Sequence, residues 1–373
     1  MITAPEIIEV SAAGSGFDER LAALPNTPAV FLLHAREGAP HLARTALLRR
    51  RLLRLLRERD RPSRLLNLRG VAERIEYWPV ASRLESNLVF YELARRHHPE
   101  TYLQLIKLRM PAYVKVLLSN PFPRTQVTTR LTSTRAFHYG PFRTRGDAEQ
   151  FEEQTLDLFQ VRRCQEHLAP SPEHPGCIYG EMNMCLRPCQ DVVGTAEYAS
   201  EVERLTEFLA TGGKSLLETV AAARDRLSEE MQFEEAARQH ARYERIQQVT
   251  KLRDDLVAEI DRLYGVAVAP STDPEAVELF FVDRGLWHSP VRFVVAPQGS
   301  AMAPLDQRLK ETAAALPPLR ATLQERQEHL ALLARWFYSS WRDGEWLQYE
   351  SPEAIPYRRL VRAVSRVASR AKT

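Results

Sequence analysis

Residues 164–189 read CQEHLAPSPEHPGCIYGEMNMCLRPC, from Cys164 through Cys177 and Cys185 to Cys189, and hold all four cysteines of a 373-residue chain. The spacing is C-x12-C-x7-C-x3-C, with Arg162, Arg163, Arg187 and Pro188 set among the thiols. Thiolates are soft ligands, and four within so short a stretch are what a metal or iron–sulfur centre needs. Two disulfides, or four unrelated buried thiols, are the plainer alternatives. Disulfides suit an oxidising compartment, yet Met1 to Val10 carries Glu6 and Glu9 and no apolar signal-peptide core. The spacing does not separate zinc from iron–sulfur, because it contains neither the C-x2-C pairs of a zinc ribbon nor a ferredoxin run.

Outside this knot, the length favours two or three domains, and 44% hydrophobic residues suffice for real cores. No apolar run approaches the ~18 residues of a membrane span, so a soluble, cytoplasmic chain with no membrane partner is expected. The net charge of +3 hides a local imbalance: nine arginines from Arg44 to Arg64 stand against Glu58 and Asp60, whereas 197–259 is mixed and acid-rich. The basic part points to a polyanion and the mixed helical part to a protein partner. A solvated helix face is the plainer reading of the arginines.

Ala29 to Leu33 reads as a strand, Gly38 as a turn and His41-Leu42-Ala43 as the return strand. From Thr45, leucines 48, 52, 55 and 56 share one helical face and arginines lie around the other. Ile75 to Val80 predicts a third strand, and Ser82 with Glu85 a capping box opening a helix that carries Glu92. Beyond it, 112–118 and 126–131 are strand-like, Tyr139 to Phe142 reads as a turn, and 147–158 as a helix. Residues 197–209 predict another helix, stopped by Gly212-Gly213. Ser215 is a fair N-cap for the first of two helices making a tight antiparallel hairpin, the second starting near Phe233. Strands at 266–269, 277–282 and 291–295 follow, then a long helix bearing Leu330, Leu333, Trp336 and Phe337, and a basic tail.

In this order, Ala29-Val30-Phe31, His41-Leu42-Ala43-Arg44, Arg51, Glu92, Tyr139-Gly140-Pro141-Phe142, the cysteines ending Arg187-Pro188-Cys189, and Phe233-Glu234-Glu235-Ala236-Ala237-Arg238 resemble the N-terminal half of the bacterial UvrC family of excinuclease proteins. The resemblance runs from about Leu24 to the chain end. It implies a GIY-YIG nuclease-like module whose first two motif tyrosines fall on Phe31 and His41, and whose further tyrosine falls on Leu55. Arg51 matches the phosphate-binding arginine and Glu92 the carboxylate on Mg²⁺ or Mn²⁺. The cysteine quartet matches the family's own and tips the cofactor toward a 4Fe–4S cluster, with zinc as the alternative. Residues Phe233, Glu234, Ala236, Ala237 and Arg238 match the UVR motif that pairs with UvrB, the partner protein of the same excinuclease. The resemblance also implies that the RNase H-like nuclease and helix-hairpin-helix domains are missing.

The expected fold is α+β and multi-domain: an extension over 1–24, a GIY-YIG-like domain over 25–105, a cysteine-cluster domain over 106–195, a UVR helical region over 196–260 and a truncated β-rich module over 261–373. The expected function is nucleotide-excision repair, binding UvrB and DNA, the latter through Arg44, Arg49, Arg50, Arg54 and Arg57, with a degenerate site and little or no incision. The rivals are a stand-alone metal-dependent endonuclease making the 3′ incision, with His41 replacing a phenol as base, and a protein–protein scaffold with no DNA role. A helix-surface carboxylate is the bland reading of Glu92, and an internally packed hairpin that of residues 214–250.

Overall fold

The structure, a computed structural model, describes residues 4–10, 16–56, 68–132, 135–296 and 303–371. It is mixed α and β, with three small antiparallel sheets sharing continuous cores. The first sheet holds β1 (Glu6–Glu9), β2 (Ala29–Ala35), β3 (His41–Thr45) and β4 (Ala72–Pro79) in the order β1-β4-β2-β3. Successive side chains of β2 point to opposite faces. Ala29, Phe31 and Leu33 join the core under α1 (Gly16–Ala23) and α2 (Leu48–Leu56), while Val30 and Leu32 join the core under α3 (Arg83–His97). Ser82 caps α3 by accepting from the Glu85 N–H at 3.0 Å, and the Glu85 carboxylate reaches back to the Ala81 N–H at 2.9 Å. The short α4 (Tyr102–Ile106) follows.

The second sheet, in the order β6-β5-β7-β8, comprises β5 (Ala112–Val116), β6 (Thr125–Thr128), β7 (Phe137–Phe142) and β8 (Ala258–Glu259). Against it lie α5 (Arg145–Leu156), opened by a Thr144/Asp147 capping box, and α7 (Thr195–Ala210), while α6 (Ile178–Glu181) sits in the cysteine stretch between them. Helices α8 (Lys214–Glu229) and α9 (Phe233–Thr250) form an antiparallel hairpin whose base, through Leu216, Val220, Ile246 and Val249, belongs to the same core. The third sheet runs β11-β10-β9-β13, from β9 (Tyr264–Pro270), β10 (Ala276–Asp283), β11 (Leu286–Trp287) and β13 (Glu345–Tyr349), with β12 (Val291–Val294) also on β10. Helices α10 (Leu305–Ala314) and α12 (Tyr357–Ala371) cover one face and α11 (Leu323–Phe337) the other.

One core runs from Val30 and Leu32 through Leu88, Tyr113 and Phe280 to Trp287, Leu330 and Trp336, so the third sheet is packed onto the first. Buried polar contacts pin the junction: Tyr91 and Tyr102 donate their hydroxyls to the two oxygens of Glu328 at 2.7 and 2.6 Å, and Arg95 pairs with Glu325 at 2.6 Å.

Four expectations change. Residues 6–9 are an edge strand of the first sheet, paired Glu6 to Tyr77 through Glu9 to Arg74, and α1 buries Phe17 and Leu21 beside Phe31, so 1–24 does not stand apart. Residues 139–142 lie in strand β7, because the chain stays paired to β5 across a bulge. Gly140 makes this possible: at φ +154° it sits where a Cβ would come within 2.8 Å of the Tyr113 ring. The N-cap of α8 is Gly213, and Ser215 lies inside the helix with its N–H on Thr211 Oγ1 at 3.2 Å. The basic tail is the amphipathic helix α12, whose Leu360, Val364 and Val367 enter the third core.

Candidate functional site

The chain leaving α5 delivers Cys164, the N-terminus of α6 delivers Cys177, and the turn around Arg187 delivers Cys185 and Cys189. Three non-glycine residues within this short stretch, Asn183, Arg187 and Asp191, hold positive φ of 59°, 56° and 55°. Such conformations are uncommon outside glycine and cluster where local geometry is set for a purpose. Backbone bonds lock the turn to its surroundings, Leu186 N–H to Gln160 O at 3.1 Å and Ser171 N–H to Cys189 O at 3.0 Å.

All four cysteines line one cavity, walled also by Arg162, Arg163, Tyr179, Gly180 and Arg187. None is in a disulfide; Cys185 and Cys189 are buried, and Cys164 and Cys177 half-buried. Burial pushes the Cys185 thiol up to about 11, an effect the other three cysteines reinforce and the Arg187 N–H, 3.4 Å from its sulfur, opposes. Burial and its neighbours Cys177 and Cys164 raise Cys189 as well. Among the described residues no three or more His, Cys, Asp or Glu side chains are gathered tightly enough to hold one metal ion. A tetrahedral zinc needs its sulfurs ~2.3 Å from one point. The four cysteines therefore share one cavity without forming a tightly gathered ligand group.

Arg162 is the residue that sequence reasoning missed. It is 1% exposed and donates from Nε to Phe122 O at 3.0 Å and from Nη1 to Glu166 O at 3.0 Å and Cys164 Sγ at 3.7 Å. Its Nη2 is buried without a partner, and among the described residues it makes no ion pair. A buried guanidinium with no carboxylate is costly, and here it lies beside the cavity that the four cysteines line. Its position two residues before Cys164 is visible in the sequence; its burial is not.

The nuclease-like residues are arranged differently. Phe31 and Leu55 lie together in the core between the first sheet and α1 and α2, at 0% and 3% exposure. His41 lies at the strand edge, its ring 6.4 Å from that of Phe31, and partial desolvation and then the nearby His98 lower its pKa. Arg51 is half-buried on α2. Glu92, on α3, is half-buried, with Oε1 enclosed and unpartnered among the described residues. Burial raises its pKa; Arg95 and Arg96 oppose the rise and Glu325 adds to it. The structure thus brings Phe31 and His41 together. Among the charges that act on Glu92 are Arg95 and Arg96 of its own helix and Glu325 of α11.

Of the DNA-binding candidates, Arg50 and Arg54 are exposed on α2, and Arg49 donates to Ala22 O at 3.3 Å. Arg44 bonds to Asn87 and lies 4.5 Å over the Phe90 ring, against α3. Arg57 lies outside the described residues. At the hairpin tip, Met231 and Phe233 are 76% and 66% exposed, an apolar pair on a projecting end. Behind them Ala236 is buried between the helices, Glu234 and Ala237 are exposed, and Arg238 pairs with Glu235 at 2.7 Å.

Comparison with known proteins gives a consistent picture. Residues 112–208, which hold the cysteine cavity, match the family model described as UvrC/Cho excinuclease, middle domain. UvrABC system protein C of Moorella thermoacetica is 24% identical over 325 residues, 86% of this chain and 52% of that protein. Its counterpart in Acetivibrio thermocellus is 21% identical over 359 residues, 94% of this chain and 57% of that protein. The chain thus spans about half the length of the curated relatives it matches. No solved structure matches. A middle-domain match over the residues that carry the cysteine cavity, together with similarity to UvrABC system protein C along most of the chain, makes this chain similar to UvrC proteins.

Proposed function

We propose that this chain serves nucleotide-excision repair as a UvrC-type protein that docks a UvrB-like partner through the α8–α9 tip and contacts DNA through the arginines of α2, with little or no cutting of its own. The observation that carries this reading is the contrast within one molecule: four thiols kept around one cavity, while two positions matched to catalytic phenols are filled by buried Phe31 and Leu55. Burying such side chains contributes ~1.5–3 kcal/mol each to the core, so these positions serve packing. Cys164, Cys177, Cys185 and Cys189 would hold a 4Fe–4S cluster, with Arg162 as a fixed counter-charge; bound there, the cluster ties three chain segments together.

The exposed Met231 and Phe233 support docking, since apolar anchors at a tip are what a helical partner covers. A second reading, a 3′-incising nuclease using Mg²⁺ or Mn²⁺, draws on one observation, the enclosed and unpartnered Oε1 of Glu92. One experiment separates the two. The chain is combined with a UvrB-type protein on a lesion-bearing duplex in Mg²⁺ or Mn²⁺, and both co-retention and strand cleavage are followed. Wild type should be retained without cleavage, and Phe233→Ala should weaken retention by ~10-fold or more, as expected for an anchor residue. Metal-dependent cleavage that disappears in Glu92→Gln would establish the nuclease instead.

A further inference from the structure

Helix α12 has a surface that the function proposed above leaves unused. Its buried positions are apolar: Leu360, Ala363 and Val364 at 0% exposure, Val367 at 2% and Ala368 at 7%. From 358 to 370 the exposed positions carry Arg358, Arg359, Arg362, Arg366 and Arg370, with Ser365 and Ser369 as the rest. The helix contains no acid. Arg358, Arg362, Arg366 and Arg370 recur every fourth residue and form a single row ~18 Å long. Like charges at this spacing repel along a helix, and Arg358 and Arg359 add positive charge in the first turn, where the helix dipole disfavours it. Among the described residues only Arg366 makes an ion pair, with Glu345 on β13, and Arg370 acts on the same carboxylate from further off. The neighbouring α10 adds Lys310, itself paired with Asp306, whose ammonium lies 5.6 Å over the Tyr357 ring. A single carboxylate, Glu345, answers this arrangement of charge among the described residues.

We propose that the arginine row of α12 is a binding surface for the sugar–phosphate backbone of duplex DNA, separate from the arginines of α2; this rests on the reading that the chain works on DNA. A membrane surface does not fit, because the apolar face such a helix would insert is already consumed by the third core. A nucleic acid does fit: duplex DNA carries one negative charge per ~1.7 Å of axis, so each guanidinium along the row finds phosphates within reach. The two serine hydroxyls bond back to carbonyls of their own helix, Val361 O at 2.9 Å and Arg366 O at 2.9 Å, and leave the arginines as the surface's main donors. Contacts of this type position a protein on a duplex without reading its sequence.

The test uses the full chain and a labelled duplex of arbitrary sequence, with affinity measured across a salt series. The triple variant R358S/R362S/R370S leaves the Arg366–Glu345 pair in place. It should bind ~10-fold or more weakly at low salt, and the slope of log affinity against log salt should shrink by about 2 to 3, close to ~0.9 per lost phosphate contact. The corresponding lysine triple, which keeps the charge, should retain the wild-type slope. The double variant R50S/R54S, on α2, should lower the slope independently. An unchanged slope in the serine triple alongside a lowered one in the α2 variant overturns the α12 surface and spares the DNA reading. Absence of duplex binding by wild type removes both. Capture of an acidic polypeptide that is lost in the triple, with duplex affinity unaltered, also overturns the proposal in favour of a protein ligand. If the serine triple does not fold, the glutamine triple at the same positions carries the same test.

Discussion

The cysteine cavity and the nuclease-like sheet each bury a charged group with one atom unpartnered, Arg162 Nη2 in the first and Glu92 Oε1 in the second. Their surroundings differ. Around Arg162 all four cysteines line one cavity and the guanidinium is held by Phe122 O, Glu166 O and Cys164 Sγ. Around the sheet, Phe31 and Leu55, the positions that the resemblance matches to phenols, belong to the hydrophobic core. On the proposed function, the unpartnered atom of Arg162 belongs to a group that balances an anionic cluster, and that of Glu92 to a carboxylate with no catalytic task. The two regions should therefore respond to substitution with opposite sign.

The largest effect is expected from Cys185→Ser. Serine keeps the side-chain shape and removes the soft sulfur, so anaerobically purified protein should lack the iron and visible absorption that the proposed cluster gives the wild type. Its unfolding free energy should drop by ~4 kcal/mol or more, the range reached when a metal site is lost. Full iron content in this variant would break the comparison at its firmer end. Next in size is Arg162→Leu. In metal-loaded protein, removing one member of a buried charge pair should cost ~3 kcal/mol, whereas in protein stripped of metal the same change removes a lone buried charge and should cost little. Denaturant melts of both forms check this. An equal loss in both would make Arg162 a structural tie through its carbonyl partners alone.

Why one region was readable and the other was not follows from where the information lies. The four cysteines carry their chemistry in residue type and spacing, so their meeting at one cavity was foreseeable from the chain. The strands read at 29–33, 266–269 and 277–282, the Ser82 cap and the hairpin behind Phe233 were equally visible, because hydrophobic period and capping are local signals. Tertiary facts were not. Glu6–Glu9, with acids at both ends and only two apolar residues, becomes a strand because β4 offers it an edge. Residues 139–142 look like a turn, yet Gly140 lets them hold a bulged strand against Tyr113. The packing of α11 onto α3 through Glu328, with Tyr91 and Tyr102, joins residues more than two hundred positions apart. Burial of Arg162 belongs to the same class, since an arginine beside a cysteine reads as surface until Tyr198 and Phe122 are seen to enclose it.

Glu92→Gln gives the smallest effect and the sharpest sign. Burial holds the folded carboxyl above its unfolded value of ~4.3. As pH rises past that value the unfolded chain ionises first, so wild type loses stability from there up to the raised folded pKa, and glutamine, which does not titrate, is spared the loss. The variant should match wild type below ~pH 4 and become the more stable of the two toward neutrality, by under ~1 kcal/mol, the scale of substitutions outside a fully buried network. Melts at the two pH values check this, and Mn²⁺ decides what it means. A cation held by Glu92 would bind the folded state alone and raise wild-type stability in proportion to its occupancy, so the neutral-pH advantage of the variant would shrink or reverse on adding the metal. If the advantage persists in Mn²⁺, the carboxylate is idle and the contrast with Arg162 stands; if it reverses, the sheet has kept a working ligand although Phe31 and Leu55 are packed beneath it.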